Sequence, residues 1–163
     1  KKFEEIIYLI NNWLKQDLNS RNFITWIFYK ISKKDNSIDY IGMGHEPMFI
    51  YRKKEKKVEK VIWWWIAWWI RLIKSIDDVR SKNLKMNDWD IILVFSDWIV
   101  ENKWINDDYY GMERLSEAFA TAAENQDDTK IIYDYILNDV KLFKWSGTFW
   151  DDVTMILLKR DEW

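Results

Sequence analysis

The chain has 163 residues, of which 25 are basic and 27 acidic, giving a net charge of −2. This length predicts a single domain over residues 1–163 with a sizeable core, and the balanced charge argues against nucleic acid or anionic membrane as a partner. The chain has no Cys, which excludes a disulfide framework and a thiolate metal site, and no apolar run approaches the ~20 residues of a membrane span.

The first half of the chain predicts one helix followed by three strands. Residues 2–18 carry apolar side chains at the spacing of an amphipathic helix: Phe3, Ile6, Ile7, Ile10, Leu14 and Leu18. Residues 22–32 are rich in β-branched and aromatic side chains, which favour a strand. Residues 38–43 and 47–52 predict two more strands joined by a short loop, and the charged stretch 53–60 predicts a solvated hairpin.

The second half of the chain predicts short strands and two consecutive helices. Residues 81–88 carry a short strand and a turn, and the apolar run at 90–96 suits a buried strand. Residues 111–124 are good helix formers, and Asp127 or Asp128 can cap a further helix that ends near Lys144. Residues 152–159 close the chain as a strand, so strands clustered before two helices predict an α+β fold.

The glycine and tryptophan contents are abnormal. The chain has 13 Trp and only 4 Gly, whereas average usage of about 7% would give roughly 11 glycines. Tight turns need residues that tolerate positive φ, and Gly is the usual supplier. A chain so poor in Gly is expected to have difficulty forming its turns.

Four segments carry motifs that resemble, in order and spacing, those of a known family. The segments are F-I-T-W-I-F-Y-K-I (23–31) with I-D-Y-I-G-M-G-H-E-P-M-F-I-Y-R (38–52), N-D-W-D-I-I-L-V-F-S-D-W-I-V-E (87–101), Y-G-M-E-R-L (110–115) and D-D-V-T-M-I-L-L-K-R (151–160). They are similar to the A-G-H-x-P, G-D-x-L-L-L-Y-T-D-G-V-x-E, F-G-x-E-R-L and D-D-I-T-L-L-V segments of the stage II sporulation protein E family. That family contains bacterial type 2C serine/threonine phosphatases, and the resemblance covers about residues 4–160.

The resemblance implies both a fold and an activity. The fold would be a layered α+β sandwich of mainly antiparallel β-sheet flanked by helices. The activity would be hydrolysis of phosphoserine or phosphothreonine with two Mn²⁺ or Mg²⁺ ions, whose bridging water attacks phosphorus in line. The substrate would be a small phosphoprotein, such as an anti-sigma-factor antagonist in a partner-switching pathway. Since Lys1 to Glu5 do not form a signal peptide, we expect a cytoplasmic location.

The resemblance also implies the metal ligands. Asp97 ends the apolar run of a buried strand, where its side chain can reach the rim of the sheet, and it matches a family metal ligand. Asp151 matches the Asp of the last metal motif, and its neighbour Asp152 is a further candidate. Spacing alone favours an ordinary turn residue at Asp97, and a helix-to-strand turn pair is the alternative for Asp151 and Asp152.

Other polar residues in the motifs are interpreted as structural. Gly44 and His45 lie in the G-H-E-P loop, where a structural or substrate-loop role is expected, and the same role is considered for Trp98. One His cannot form a His-rich zinc site. Asp90 is interpreted as a turn former and Glu101 as a structural residue.

The chain departs from the family in lacking its N-terminal motif, G-D-V-S-G-H-G, whose Asp bridges the two metal ions. Nothing before Phe3 can supply that motif. The first strands of the domain are therefore expected to be missing, and the 163 residues alone are expected to bind Mn²⁺ weakly and to lack phosphatase activity.

Trp also stands where the family has Gly, at positions 65, 69, 89 and 98, and Trp104 and Trp145 lie in turn-like stretches. The 13 Trp and 4 Gly together come close to ordinary Gly usage. We hypothesise that many of these tryptophans are UGA codons that the source organism reads as Gly; a protein truly rich in Trp is the alternative. Trp98 is expected either to strain the backbone or to project into the metal site.

Two other functions remain open. The chain could be a degenerate domain that binds a protein partner without hydrolysing it. Alternatively, the five tryptophans within 63–69 could form an aromatic surface that binds a membrane interface or a sugar.

Overall fold

The computed structural model describes residues 2–17, 24–62, 73–103, 108–144 and 152–161. Its helices and strands, in chain order, are α1 (Phe3–Asp17), β1 (Trp26–Ser32), β2 (Ser37–Met43), β3 (Met48–Arg52), β4 (Lys57–Val61), β5 (Lys82–Lys85), β6 (Ile91–Phe95), α2 (Asp97–Val100), α3 (Gly111–Asn125), α4 (Thr129–Lys144) and β7 (Met155–Lys159). A short 3-10 helix covers Ile76–Asp78. Nowhere in these ranges is a helix both long and apolar enough to cross a membrane.

The chain divides into two compact units, each made of two separate stretches. Unit 1 comprises Lys1–His45 with Trp63–Met86, and unit 2 comprises Glu46–Ile62 with Asn87–Trp163. The expectation of one domain over the whole chain stays a prediction.

Unit 1 joins α1 to a three-stranded antiparallel sheet in the order β1-β2-β5. The helix buries Ile7 in a cluster with Ile41 and Met43 of β2 and with Ile73. The amide of Asn12 fixes the helix by two hydrogen bonds to one residue: its Nδ2 donates to the Ile73 carbonyl at 3.1 Å, and its Oδ1 accepts from the Ile73 N–H at 3.2 Å. The amphipathic pattern of residues 2–18 therefore correctly predicted the helix.

Unit 2 contains a four-stranded antiparallel sheet in the order β4-β3-β6-β7. All five residues of β6 are buried, which explains why its sequence is continuously apolar. One face of the sheet packs against α3 and α4 through Phe49, Leu93, Phe95 and Phe119. The charged stretch 53–60 forms a hairpin as expected, although β4 occupies half of it and only residues 53–56 form the turn.

Asp90 is a buried structural residue at the start of β6. Its carboxylate accepts hydrogen bonds from the Arg52 guanidinium at 2.7 Å, the Asn87 N–H at 2.9 Å and the Lys53 N–H at 3.2 Å. These hydrogen bonds satisfy the buried carboxylate and join the end of β3 to the turn before β6. The geometry agrees with the interpretation of Asp90 as a turn former.

Trp89 occupies a turn position that favours glycine. The Asp90 N–H donates to the Asn87 carbonyl at 3.2 Å, which closes a turn over Asp88 and Trp89. Trp89 has a φ of 69°, whereas Asp88 is not among the described residues of positive φ. A positive φ at the third turn residue is the mark of a type II turn, in which Gly is preferred. This conformation supports the hypothesis of a glycine at position 89.

Trp98 differs from the expectation. It lies within the short helix α2 and is not among the described residues of positive φ. The expected backbone strain at Trp98 is therefore wrong. Glycines also occur at the starts of helices, so a family Gly at this position does not by itself imply a left-handed backbone.

Candidate functional site

Asp97 and Asp152 lie at the same end of the unit 2 sheet. Strand β6 pairs with β7 up to Phe95 opposite Met155. One step further, the Ser96 N–H donates to the Thr154 carbonyl at 2.9 Å, and the Thr154 N–H donates to Ser96 Oγ at 3.1 Å. These two hydrogen bonds hold the end of β6 against the segment that enters β7. Asp97 follows directly on one strand, and Asp152 precedes the other by a short segment.

Glu46 reaches this end of the sheet from a third strand. Strand β3 is antiparallel to β6, with Phe49 opposite Leu93, so the residues before Met48 lie beside the end of β6. Glu46 comes two residues before β3 and is half-buried. We call Glu46, Asp97 and Asp152 the acidic rim.

The charges near the acidic rim affect one another. Burial raises the pKa of Glu46 above its usual value of 4.5, and the negative charges of Asp97 and Glu101 raise it further, while Lys60 lowers it. The carboxylate of Asp97 is exposed, and its Oδ1 accepts the Trp98 N–H at 2.9 Å. The rim is therefore a region of negative potential in which one carboxylate is held in an unfavourable setting.

The acidic rim offers only part of a metal site within the described residues. Carboxylate oxygens are the ligands that Mg²⁺ and Mn²⁺ prefer. Across the ranges that the structure describes, no three His, Cys, Asp or Glu side chains lie close enough together to hold a metal ion. Asp97 and Asp152 fit as two oxygen donors at one sheet end, whereas the predicted ligand Asp151 lies outside the described residues.

The other residues singled out from the sequence take several positions. Gly44 is exposed, with a φ of 70°, and His45 is half-buried. Both belong to unit 1, whereas the acidic rim belongs to unit 2. The loop role of Gly44 and His45 stays a prediction. Trp98 is 38% exposed beside Asp97. The aromatic stretch 63–69 lies outside the described residues, and so do Trp104 and Trp145.

Sequence reasoning missed Glu46 as a member of the rim. The sequence did contain a signal, since Glu46 follows His45 in the G-H-E-P loop and directly precedes the strand predicted over residues 47–52. Only the antiparallel register of β3 and β6 shows that this loop ends beside Asp97.

The fold and motifs match known proteins. The model of the stage II sporulation protein E (SpoIIE) family matches residues 1–161. Phosphoserine phosphatase RsbU of Bacillus subtilis (strain 168) is 26% identical over 161 residues, which are 96% of this chain and 44% of that protein. The chain thus spans less than half the length of this curated relative.

Two solved structures of SpoIIE from Bacillus subtilis share the fold. The structure of its PP2C phosphatase domain with a fragment of the regulatory domain has a TM-score of 0.75 at 21% identity, covering 98% of this chain and 45% of that one. The phosphatase domain presoaked with Mn has a TM-score of 0.65 at 18% identity, covering 99% and 74%. The matches confirm the predicted family resemblance and the α+β fold with antiparallel sheets.

Proposed function

The chain belongs to the stage II sporulation protein E family, and we propose that it is part of a divalent-metal-dependent protein phosphatase domain. The reaction is hydrolysis of a phosphoserine or phosphothreonine ester. The observation that carries the proposal is the convergence of Asp97 and Asp152 at one sheet end, within a chain that matches the family over residues 1–161.

Asp97, Asp151 and Asp152 are the residues that would hold the metal. A bound pair of Mn²⁺ or Mg²⁺ ions supplies a water nucleophile at neutral pH and neutralises the phosphoryl charge. The solved relative presoaked with Mn supports a divalent cation. The contribution of this chain is to fix the carboxylates, and the paired hydrogen bonds between Ser96 and Thr154 hold the β6 end against the segment carrying Asp152.

The proposed substrate is a small phosphoprotein in the cytoplasm. The name of the relative phosphoserine phosphatase RsbU supports phosphoserine as the group that is hydrolysed. An anti-sigma-factor antagonist from a partner-switching pathway is the proposed identity of that phosphoprotein. Mass spectrometry that detects loss of phosphate from such a protein tests whether it is the substrate.

Substitution of the ligands tests the reaction. In the full-length protein, Asp97→Asn and Asp151→Asn should each abolish Mn²⁺-dependent hydrolysis of a phosphoryl ester, because each change removes a charged oxygen ligand from a hard cation. Asp88→Asn is the matched control: Asp88 lies at the opposite end of β6, where it pairs with Arg160 at 2.7 Å. Near-normal turnover by Asp97→Asn would contradict the proposal.

A protein-binding domain without catalysis is the second candidate. The partly exposed Trp98 beside Asp97 favours it. Such a domain would bind the phosphorylated partner and leave its phosphate intact at any Mn²⁺ concentration. Phosphate release in the same mixture would exclude it.

A further inference from the structure

We propose that the outer face of α4 is a self-association surface, on which α4 of a second copy of this chain packs in the antiparallel direction. The surface consists of Ile131, Tyr135, Asn138 and Leu142, which we call the α4 stripe. Such an assembly is independent of the proposed phosphatase activity.

Helix α4 carries apolar side chains on two faces. Ile132, Ile136 and Val140 are buried in the core of unit 2. The α4 stripe lies on a different side of the helix, at positions i, i+4, i+7 and i+11, which follow one another along a helix of 3.6 residues per turn. Its three apolar residues are 48%, 47% and 69% exposed, in chain order. One exposed apolar residue is ordinary on a protein surface, but a row of three along one helix is typical of a face that another helix covers.

The α4 stripe is symmetrical about its midpoint, between positions 136 and 137. Ile131 and Leu142 lie at its two ends, and Tyr135 and Asn138 lie near its centre. Two antiparallel copies therefore place Ile131 opposite Leu142 of the second copy, and Tyr135 opposite Asn138. Contacts of this reciprocal kind are those of a two-fold symmetric dimer, so the stripe is complementary to itself.

Charged residues beside the α4 stripe favour a second copy and set its direction. Asp134 and Lys141 are exposed along one edge of the stripe, near opposite ends. Antiparallel pairing brings Asp134 nearly level with Lys141 of the second copy, and the reciprocal contact forms at the other end. Parallel pairing would instead leave each of these residues level with its own counterpart. On the other edge of the stripe, Asp139 is already paired with Arg114 at 3.1 Å.

The proposed dimer is weak, because each copy contributes one helix with three exposed apolar side chains. Asp134 also pairs with Lys130 of its own helix at 2.6 Å. This exposed i,i+4 pair does not prevent a contact with a second cation, since a carboxylate has two acceptor oxygens. Association should therefore depend on protein concentration and weaken at high salt.

Charge reversal tests the pairing, by sedimentation velocity of the full-length protein at up to about 100 μM, a range suited to weak interfaces. Asp134→Lys and Lys141→Asp should each weaken self-association by about tenfold or more, because each places like charges opposite each other at both ends of the α4 stripe. An equimolar mixture of the two variants should restore association, since every contact then joins opposite charges. Glu55→Lys, in the exposed turn between β3 and β4, is the matched control and should associate like the parent.

Single cysteines test the direction and the identity of the partner. With a short bis-maleimide, Ile131→Cys mixed with Leu142→Cys should give a peptide that links position 131 of one copy to position 142 of the other, identified by mass spectrometry. Ile131→Cys alone should not link to itself, because antiparallel pairing separates the two copies of position 131 by about 16 Å along the helix.

Several results would overturn the proposal. A parent protein that stays monomeric at every concentration excludes the dimer. Unchanged sedimentation of both charge variants, or no recovery in their mixture, excludes the pairing of Asp134 with Lys141. Self-linking of Ile131→Cys would show a parallel arrangement, and a link to another segment or to another protein would show a different occupant of the α4 stripe.

Discussion

Replacing Trp89 by glycine should give a more stable protein than replacing it by alanine. Both changes remove the indole, so they differ only in whether a Cβ remains at a φ of 69°. Keeping an ordinary residue in the left-handed region costs roughly 1–2 kcal/mol. The greater freedom of Gly in the unfolded chain returns about 0.4–1 kcal/mol of this. We therefore expect the glycine variant to exceed the alanine variant by about 0.5–1 kcal/mol.

The contacts of the Trp89 side chain determine how the stability of the parent protein compares with that of the two variants. Trp89 is 37% exposed, and the Lys159 ammonium lies 4.4 Å from the centroid of its ring. Such a contact contributes about 0.5–1 kcal/mol at an exposed site, and both variants lose it. Trp89→Ala should therefore fall below the parent, whereas Trp89→Gly should equal it or exceed it slightly.

Trp26 provides a control with the opposite expectation. It lies in β1, has no positive φ and packs against Phe28 with ring centroids 5.2 Å apart. Glycine within a strand is less stable than alanine by roughly 0.5–1 kcal/mol. The order of the two variants at position 26 should therefore be the reverse of that at position 89.

Thermal melts followed by far-UV circular dichroism measure these differences. For a chain of this size, 1 kcal/mol corresponds to about 2–4 °C in Tm. If Trp89→Ala melts at or above Trp89→Gly, position 89 carries no left-handed strain and the glycine hypothesis loses its physical support. The codons for positions 65, 69, 89 and 98 give a direct test, in which UGG at all four would refute recoding.

Three further predictions concern stability. Asp90→Ala should destabilise the protein by about 1–3 kcal/mol in guanidinium unfolding, because it removes the buried acceptor of three hydrogen bonds, although Arg52 keeps its ion pair with Glu59. The exposed control Asp88→Ala should cost at most about 1 kcal/mol, and equal losses in the two variants would contradict the prediction. Trp98→Gly should not raise the Tm, because position 98 has no positive φ that glycine would relieve; a raised Tm would contradict the helical conformation of Trp98. The raised pKa of Glu46 means that the folded state loses stability as the pH rises from 4.5 through the folded pKa. Metal-free Glu46→Gln should therefore be more stable than the parent at about pH 7 and equal to it at about pH 3, and an equal difference at both would refute the assignment.

Strong local patterns predicted most of the fold. The apolar run of β6 and the helical periodicities of α1, α3 and α4 depend on neighbouring residues alone. The capping prediction for α4 was of this kind: Asp128 Oδ1 accepts the Lys130 N–H at 2.7 Å.

Features that depend on register or on backbone geometry were harder to predict. Glu46 was missed because its position beside Asp97 follows from the pairing of β3 with β6, which links residues distant in sequence. Trp89 and Trp98 looked alike because the same residue replaces a family Gly at both, yet one adopts a left-handed turn and the other a helical turn. The short helix α2 was missed because four residues carry too little periodicity to identify it.

The interleaved composition of unit 2 has a consequence during protein synthesis. Its first stretch, Glu46–Ile62, leaves the ribosome as the β3–β4 hairpin well before β6, its partner in the sheet. Met48, Phe49 and Ile50 are fully buried in the finished sheet, so the nascent hairpin exposes them until β6 has been synthesised. The sheet is complete only when β7 has been made after both helices, and a chaperone that binds apolar hairpins would act on this chain between residues 62 and 155.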